Sequence, residues 1–109
     1  MAFNGTEGGP IDLKTASALT ANYRASGSGT LTLAQFFGKD IINSILAQTG
    51  CMGIRIYYGI DGSGKPALIM VGSDANENDM LGTVASPGVI ANFALPCPNR
   101  CSSNNALNS

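Results

Sequence analysis

Residues 53–72, GIRIYYGIDGSGKPALIMVG, consist of two strand-like runs joined by a glycine-rich turn, a pattern that predicts a β-hairpin. Successive side chains of a strand point to opposite faces, so the first arm gathers apolar residues on one face. A glycine-rich turn follows at residues 61–65, and Pro66 suits the start of the next strand. The second arm, 67–71, is unbroken and apolar, which is typical of a strand covered on both faces, or covered on one and meeting a partner on the other. The apolar face of the first arm comprises Ile54, Ile56, Tyr58 and Ile60.

Residues 12–25 have the composition and periodicity of a helix. Asp12 is a favourable N-cap residue, since its carboxylate can accept a hydrogen bond from a free amide of the first turn. Apolar residues then recur at the spacing of one helical face. These residues are Leu13, Ala16, Leu19 (or Thr20) and Tyr23.

A second helix is predicted over residues 32–50. Thr32 and Gln35 stand at the spacing of a capping box, in which each side chain satisfies a free amide of the other residue. Gly38 is unfavourable inside a helix, so we expect a break there and a restart near Asp40. The apolar row of this helix comprises Leu33, Phe37, Ile41 and Ile45.

The sequence after the hairpin predicts a loop and two further strands. Residues 73–80 are acidic and rich in asparagine, as in a solvated loop. Residues 81–85 are consistent with a short strand, and residues 89–95 form a longer strand-like run that ends at a proline.

These elements predict an α+β fold, because helices precede a run of strands. Two N-terminal helices would pack on an antiparallel sheet of three or four strands centred on the hairpin. The length of 109 residues suits one domain, residues 1–109. Residues 1–10 and 102–109 are predicted to be irregular tails.

The charge of the chain excludes some partners and favours another. The net charge is −1, so there is no basic field to hold nucleic acid or an anionic membrane surface. Only 12% of the residues are charged, about half the usual share. A weakly charged surface is poorly protected against self-association, so we expect a homo-oligomer. No secretory signal or membrane-spanning segment is recognisable, and a cytoplasmic location is expected.

The cysteines allow three interpretations. Cys97 and Cys101 flank a proline-containing turn, and Cys51 stands alone before the hairpin. The pair can form a disulfide or redox centre, although its spacing is longer than that of a C-x-x-C motif. With Cys51, it can supply three thiolates to a zinc ion, which requires a fourth ligand from elsewhere. The third interpretation is that all three are small buried thiols.

Two loops resemble ligand-binding motifs. Residues 59–65 match the spacing of a phosphate-binding loop, but Pro66 and a strand follow where that motif requires Ser or Thr and a helix, so nucleotide binding is not expected. Residues 74–79 resemble the start of a calcium loop, but the glycine and the bidentate glutamate are missing. A weak cation site or a solvated turn are the two interpretations. The candidate ligands are Asp74, Asn76, Asn78 and Asp79.

No catalytic constellation is recognisable. The chain has no histidine, which excludes triads of the Ser-His-Asp and Cys-His types within it. Arg55 and Tyr57 lie on the less apolar face of the first hairpin strand. Together with Ile69 and Val71 of the second strand, they are the residues predicted to contact another copy.

Part of the chain resembles a group of small uncharacterised bacterial proteins. The likeness lies in FFGKDIINSILAQTGCMGIRIYYGIDGSGKPALIMVGSDANENDM, residues 36–80, and in PCPNRC, residues 96–101. It covers a little over half of the sequence. The resemblance implies no substrate and no catalytic residues. It implies a bacterial cytoplasmic protein in which the three cysteines belong to the pattern of the group.

The sequence thus favours a non-enzymatic protein that self-associates, as a subunit of a homo-oligomer or filament, and that needs no cofactor. The low charge and the continuous apolar strand 67–71 support this expectation. The alternative is a small-ligand or metal-binding module at the cysteine-containing C-terminal end.

Overall fold

The computed structural model describes residues 2–27 and 32–108, which contain two helices and five strands. The predicted α+β class is confirmed in this coarse form. The residues fall into two compact units: Met1–Glu7 with Phe37–Ala94, and Gly8–Phe36 with Leu95–Ser109. The elements are α1 (Leu13–Ser26), β1 (Ala34–Phe36), α2 (Lys39–Leu46), β2 (Cys51–Ile60), β3 (Pro66–Asp74), β4 (Ile90–Ala91) and β5 (Leu95–Cys97).

The predicted hairpin is confirmed, and its two strands, β2 and β3, are the longest elements described in the first unit. β2 and β3 pair antiparallel in one continuous register from Ile60 opposite Pro66 down to Gly53 opposite Ser73, with an irregularity between Cys51 and Gly53. The turn is closed by the amide of Asp61, which donates to the carbonyl of Lys65 at 2.8 Å.

The carboxylate of Asp61 completes this turn. Its Oδ1 accepts hydrogen bonds from the amides of Ser63 at 2.8 Å and Lys65 at 3.0 Å. Asp61 thereby satisfies backbone donors that the tight turn leaves unpaired. Residues 59–65 thus form a strand end and a hairpin turn, and a strand follows them, as the sequence predicts.

Helix α2 packs on the base of the hairpin and forms the core of the first unit. Ile45 is fully buried, and Met70 of β3 and Ala91 of β4 pack with it at 4% and 3% exposure. β4 pairs with β3, placing Ala91 opposite Met70 on the face that α2 covers. Partly buried apolar side chains surround the three: Phe37, Ile41, Ile42, Cys51, Ile54 and Val89.

Gly72 permits the close approach of α2 to β3. A Cβ atom built on Gly72 would lie 2.9 Å from Nε2 of Gln48, 3.0 Å from Sγ of Cys51 and 3.3 Å from a methyl group of Ile45. The same Gln48 side chain donates to the carbonyl of Ile45 and accepts from the amide of Val89, both at 3.0 Å. The absent side chain at Gly72 therefore makes room for the residues that join α2 to the strands.

The prediction of one helix over residues 32–50 is wrong in its first part. Residues 34–36 form strand β1, which pairs antiparallel with β5, and α2 begins only after Gly38, its N-cap residue. The backbone of these residues is held by a segment some sixty positions away, which overrides the local capping-box pattern. The expected break at Gly38 and restart near Asp40 are confirmed.

The strand predictions after the hairpin also need correction. Residues 81–85 form no strand, because they belong to a turn in which the amide of Gly88 donates to the carbonyl of Leu81 at 3.0 Å. Of the predicted strand 89–95, only Ile90–Ala91, which form β4, and Leu95, the first residue of β5, lie in strands; Phe93 has a positive φ of 60° that interrupts the extended backbone between them. In the described part of the chain, two separate sheets result, of three and two strands, instead of one.

Helix α1 belongs to the second unit. Asp12 caps it as predicted, with Oδ1 accepting from the amide of Thr15 at 2.7 Å. The predicted apolar stripe is not a packed face: no residue of α1, all of which is described, is buried, and Leu13 and Leu19 are more than half exposed. α1 and the β2–β4 sheet lie in different units, so its packing on that sheet stays a prediction.

We expect Ile45→Ala to destabilise the first unit strongly. The substitution removes three carbons from a fully buried site and leaves a cavity, which costs about 2–5 kcal/mol in free energy of unfolding. Leu46→Ala is the matched control, because Leu46 follows on the same helix and is 46% exposed, and it should cost about 1 kcal/mol or less. Urea denaturation followed by circular dichroism measures both. Equal losses would contradict the assignment of the core.

Candidate functional site

β2 is an edge strand of unusual length. The three-stranded sheet has the order β2-β3-β4, and within the described part of the chain β2 pairs with β3 alone. Its ten residues exceed the five or six of an average strand. The other side of β2 therefore presents a row of backbone amides and carbonyls that no other strand pairs.

The turn determines which residues face outward. In an antiparallel ladder, hydrogen-bonded and non-hydrogen-bonded pairs alternate. Asp61 donates to Lys65, so the next pair along, Ile60 with Pro66, is non-hydrogen-bonded, and the alternation continues towards Gly53. The outward-facing backbone groups of β2 therefore belong to the four residues Ile54, Ile56, Tyr58 and Ile60.

Two independent features support this assignment. Pro66 has no amide hydrogen. It occupies a position of β3 whose backbone groups point away from β2, so the missing amide removes no hydrogen bond between the two strands. Gly72, the partner of Ile54, uses its carbonyl to accept from the amide of Met80 at 2.8 Å, on the side away from β2. Both observations fit a ladder in which the backbone amides and carbonyls of the even-numbered residues of β2 point away from β3.

The outward-facing residues also carry exposed apolar side chains. Tyr58 is 92% exposed, Ile60 78% and Ile56 48%, whereas Ile54 packs against the core. All four side chains lie on one face of the hairpin. Helix α2 covers that face only at the end opposite the turn, near Ile54 and Gly72. The far half of β2 thus combines an unpaired backbone edge with an uncovered apolar face.

The four residues predicted for self-association come together on the opposite face. The register places Arg55 beside Val71 and Tyr57 beside Ile69. Val71, however, is only 2% exposed. It is therefore part of the interior, which removes it from any contact surface.

Arg55 and Tyr57 hold the loop after β3. The Nη1 atom of Arg55 donates to Oδ1 of Asp79 at 2.5 Å, and its Nη2 donates to the carbonyl of Glu77 at 3.2 Å. The hydroxyl of Tyr57 donates to the other carboxylate oxygen of Asp79. The ring of Phe3 lies 5.5 Å from the guanidinium, within the range of a cation–π contact.

The charges in this cluster stabilise each other. The hydrogen bond from Tyr57 and the guanidinium of Arg55 lower the pKa of Asp79 below its ordinary value of 3.8. Asp79 in turn raises the pKa of Tyr57 and that of Arg55. Since the charge of Arg55 is balanced by Asp79, the cluster is a clamp between β2 and the loop rather than a site for an anion.

The predicted cation loop is organised by its own backbone. Oδ1 of Asp74 accepts from the amides of Asn76 at 2.9 Å and Asn78 at 3.1 Å, and Asp79 is engaged by Arg55 and Tyr57. Asp74 and Asp79 thus both have protein partners. No group of three or more His, Cys, Asp or Glu residues that could hold a metal occurs in residues 2–27 and 32–108.

The three cysteines do not converge. Cys97 and Cys101 form a disulfide in the second unit. Cys51 is a free, half-buried thiol in the first unit, and its Sγ donates to the carbonyl of Gly53 at 3.2 Å. The disulfide engages two of the three thiols that a zinc site would require. Disulfides persist mainly in oxidising compartments. The pair therefore does not support the expected cytoplasmic location, which stays a prediction.

Each unit also has an open depression. In the first unit, a cavity of about 440 Å³ is lined by Glu7, Arg55 and Ser73 together with apolar residues. Glu7 is engaged by the amides of Asn4 and Gly5, and Arg55 by Asp79. The buried hydroxyl of Ser73 makes no hydrogen bond of standard geometry with the described residues, although it contributes to lowering the pKa of Asp79, and by itself it identifies no ligand. A cavity of about 360 Å³ in the second unit is lined partly by the disulfide.

No protein-family model matches this chain, and no curated protein and no solved structure is significantly similar to it. The resemblance to small bacterial proteins stays a prediction. Among the described residues, no helix has the length and apolarity required to cross a membrane. The functional interpretation therefore depends on the geometry of the site.

We expect the Asp79 clamp to make stability depend on acidic pH. Because the pKa of Asp79 is lower in the folded protein than in the unfolded chain, its ionised form stabilises the fold above the ordinary pKa of 3.8. This contribution disappears as the pH falls through the folded-state pKa. Urea midpoints of the wild type should fall more steeply than those of Asp79→Asn between about pH 5 and pH 2.

The comparison with Asp79→Asn removes the background from other carboxylates. The pKa values of Glu7, Asp12 and Asp61 are also lowered by hydrogen bonds, and these groups titrate in both proteins. Parallel pH profiles for the two proteins would show that the clamp does not contribute to stability.

Proposed function

We propose that the protein is a non-enzymatic, self-associating structural or interaction protein whose contact is the outer edge of β2. The observation that carries the proposal is the long unpaired edge of β2, whose outward-facing residues bear exposed apolar side chains. Backbone pairing and apolar burial would occur at the same residues. A second copy of the chain supplies a strand of matching length and character.

The edge lacks the protection that monomeric proteins use. Natural edge strands are shortened, bulged, covered, or marked with charged residues and proline. The regular ladder of β2 runs without a bulge from Gly53 to Ile60, and the outward-facing residues include no charge and no proline. The one charged residue, Arg55, lies on the other face and is paired with Asp79. Nothing in this segment opposes the approach of another strand.

The energetics favour pairing when both contributions act together. Burying an isoleucine or aromatic side chain contributes about 1.5–3 kcal/mol, and each new backbone hydrogen bond about 0.5–1.5 kcal/mol. Association costs about 4–15 kcal/mol in lost freedom of motion. Side-chain burial or hydrogen bonds alone would barely offset this cost. The coincidence of both at Ile56, Tyr58 and Ile60 supports a stable complex.

Other functions have less support in the site. The polar cluster of Arg55, Tyr57 and Asp79 is internally neutralised and faces the loop after β3. The ligand or metal module at the C-terminal end loses two of its thiols to the disulfide. In both arrangements the side chains are already engaged within the chain, whereas no described strand pairs with the outer edge of β2.

Tyr58→Pro tests the proposal, with Tyr58→Ser as the matched variant. Proline removes an outward-facing amide and leaves the β2–β3 bonds intact, so association through the edge should be lost. Serine keeps the amide and removes the aromatic ring, so association should be weakened but retained. Size-exclusion chromatography with light scattering at high micromolar concentration gives the molar mass of each protein.

The outcomes separate the mechanisms. Equal loss of association in both variants would assign the contact to the apolar face rather than to the edge. A monomeric wild type would overturn the proposal altogether. Ile56→Lys serves as a second edge variant if Tyr58→Pro fails to fold, because a lysine at an outward-facing position blocks strand addition without changing the ladder.

A further inference from the structure

We infer that the assembly is a closed dimer in which β2 pairs antiparallel with β2 of a second copy, about a two-fold axis at Tyr57. This inference rests on the proposed function and adds the orientation, the register and the number of subunits. It decides between the closed oligomer and the filament that the sequence leaves open. Three features of the sheet carry it.

The first feature is the extent of the regular edge. The outward-facing residues run from Ile54 to Ile60, and the residue midway between them is Tyr57. The irregularity between Cys51 and Gly53 limits the run at one end, and the turn at Asp61 limits it at the other. An antiparallel pairing centred on Tyr57 therefore matches the whole run with itself and forms about eight backbone hydrogen bonds.

The second feature is the complementarity of the side chains in this register. Opposite residues of an antiparallel pair share one face. Ile56 lies opposite Tyr58 of the second copy, and Ile54 opposite Ile60, so the apolar face becomes continuous. Such aromatic and β-branched pairs are favourable across strands. On the other face, the two Tyr57 residues meet at the axis.

Charge disfavours a shift of the register. In the pairing centred on Tyr57, Arg55 lies opposite Gly59 of the second copy, which has no side chain to obstruct it. A pairing centred on Arg55 would place two guanidinium groups opposite each other, which is unfavourable. The ion pair of Arg55 with Asp79 also remains intact in the inferred register, because it lies within one copy.

The third feature is the other edge of the sheet. β4 has only two residues, Ile90 and Ala91, and Phe93 with its positive φ of 60° interrupts the extended backbone soon after them. This edge is too short to accept a further strand. A two-fold contact uses the same surface on both copies, and among the described residues the short edge of β4 is no second site for growth. The sheet therefore stops at six strands and the assembly at two chains.

Cysteine cross-linking tests the register. Ile56→Cys, Tyr57→Cys and Tyr58→Cys are each made in a Cys51→Ser background, without reducing the native disulfide, and are oxidised mildly. Only the residue at the two-fold axis meets its own copy, with Cα atoms within the reach of a disulfide. Tyr57→Cys should give a covalent dimer at least about tenfold faster than the other two. Non-reducing electrophoresis measures the rates.

Several outcomes would overturn the inference. Faster cross-linking of Ile56→Cys or Tyr58→Cys would establish a different register, and covalent species larger than a dimer would establish an open assembly. A dimer in light scattering without cross-linking from any variant would place the contact elsewhere. Failure of the proposed function is distinguishable, because the Cys51→Ser parent would then be a monomer. Tyr57→Phe, which keeps the ring but not the bond to Asp79, should remain dimeric.

Discussion

The β2–β3 ladder is the constraint on which the other features of the first unit depend. One hydrogen bond at the turn, from Asp61 to Lys65, sets the alternation of bonded and non-bonded pairs along the whole hairpin. The same alternation decides which backbone groups are satisfied by β3 and which point away from it. The register also sets the faces, so it brings Met70 to the core and Arg55 to the clamp.

The two halves of the hairpin differ because only its base is covered. Near Gly72, α2 packs on one face, and the loop clamped through Asp79 lies against the other. Beyond Ile56 the strands continue without comparable cover, and Tyr58 and Ile60 are exposed. The far half of the hairpin is thus a regular ladder with few packing contacts within its own unit. A second copy would give this segment a packing role.

The local parts of the fold follow from the sequence, and the non-local parts do not. Alternation, turn residues and the Asp12 cap predict the hairpin and α1, because each acts within a few residues. Strand β1 is not predicted from the local sequence, because its backbone pairs with β5, which lies far along the chain. The pairing of Arg55 with Asp79 likewise depends on the loop after β3. The outward-facing edge was predictable in principle, since the positions of Asp61, Lys65 and Pro66 fix the alternation.

Amide hydrogen exchange, measured residue by residue with NMR at low and high protein concentration, distinguishes a paired β2 edge from a free one. We predict that the amides of Ile56 and Tyr58 exchange quickly in dilute solution and become protected as the protein concentration rises. The amide of Tyr57, bonded to β3, should be protected throughout. If Ile56 and Tyr58 exchange at the same rapid rate at every concentration, the edge of β2 does not pair with a second copy.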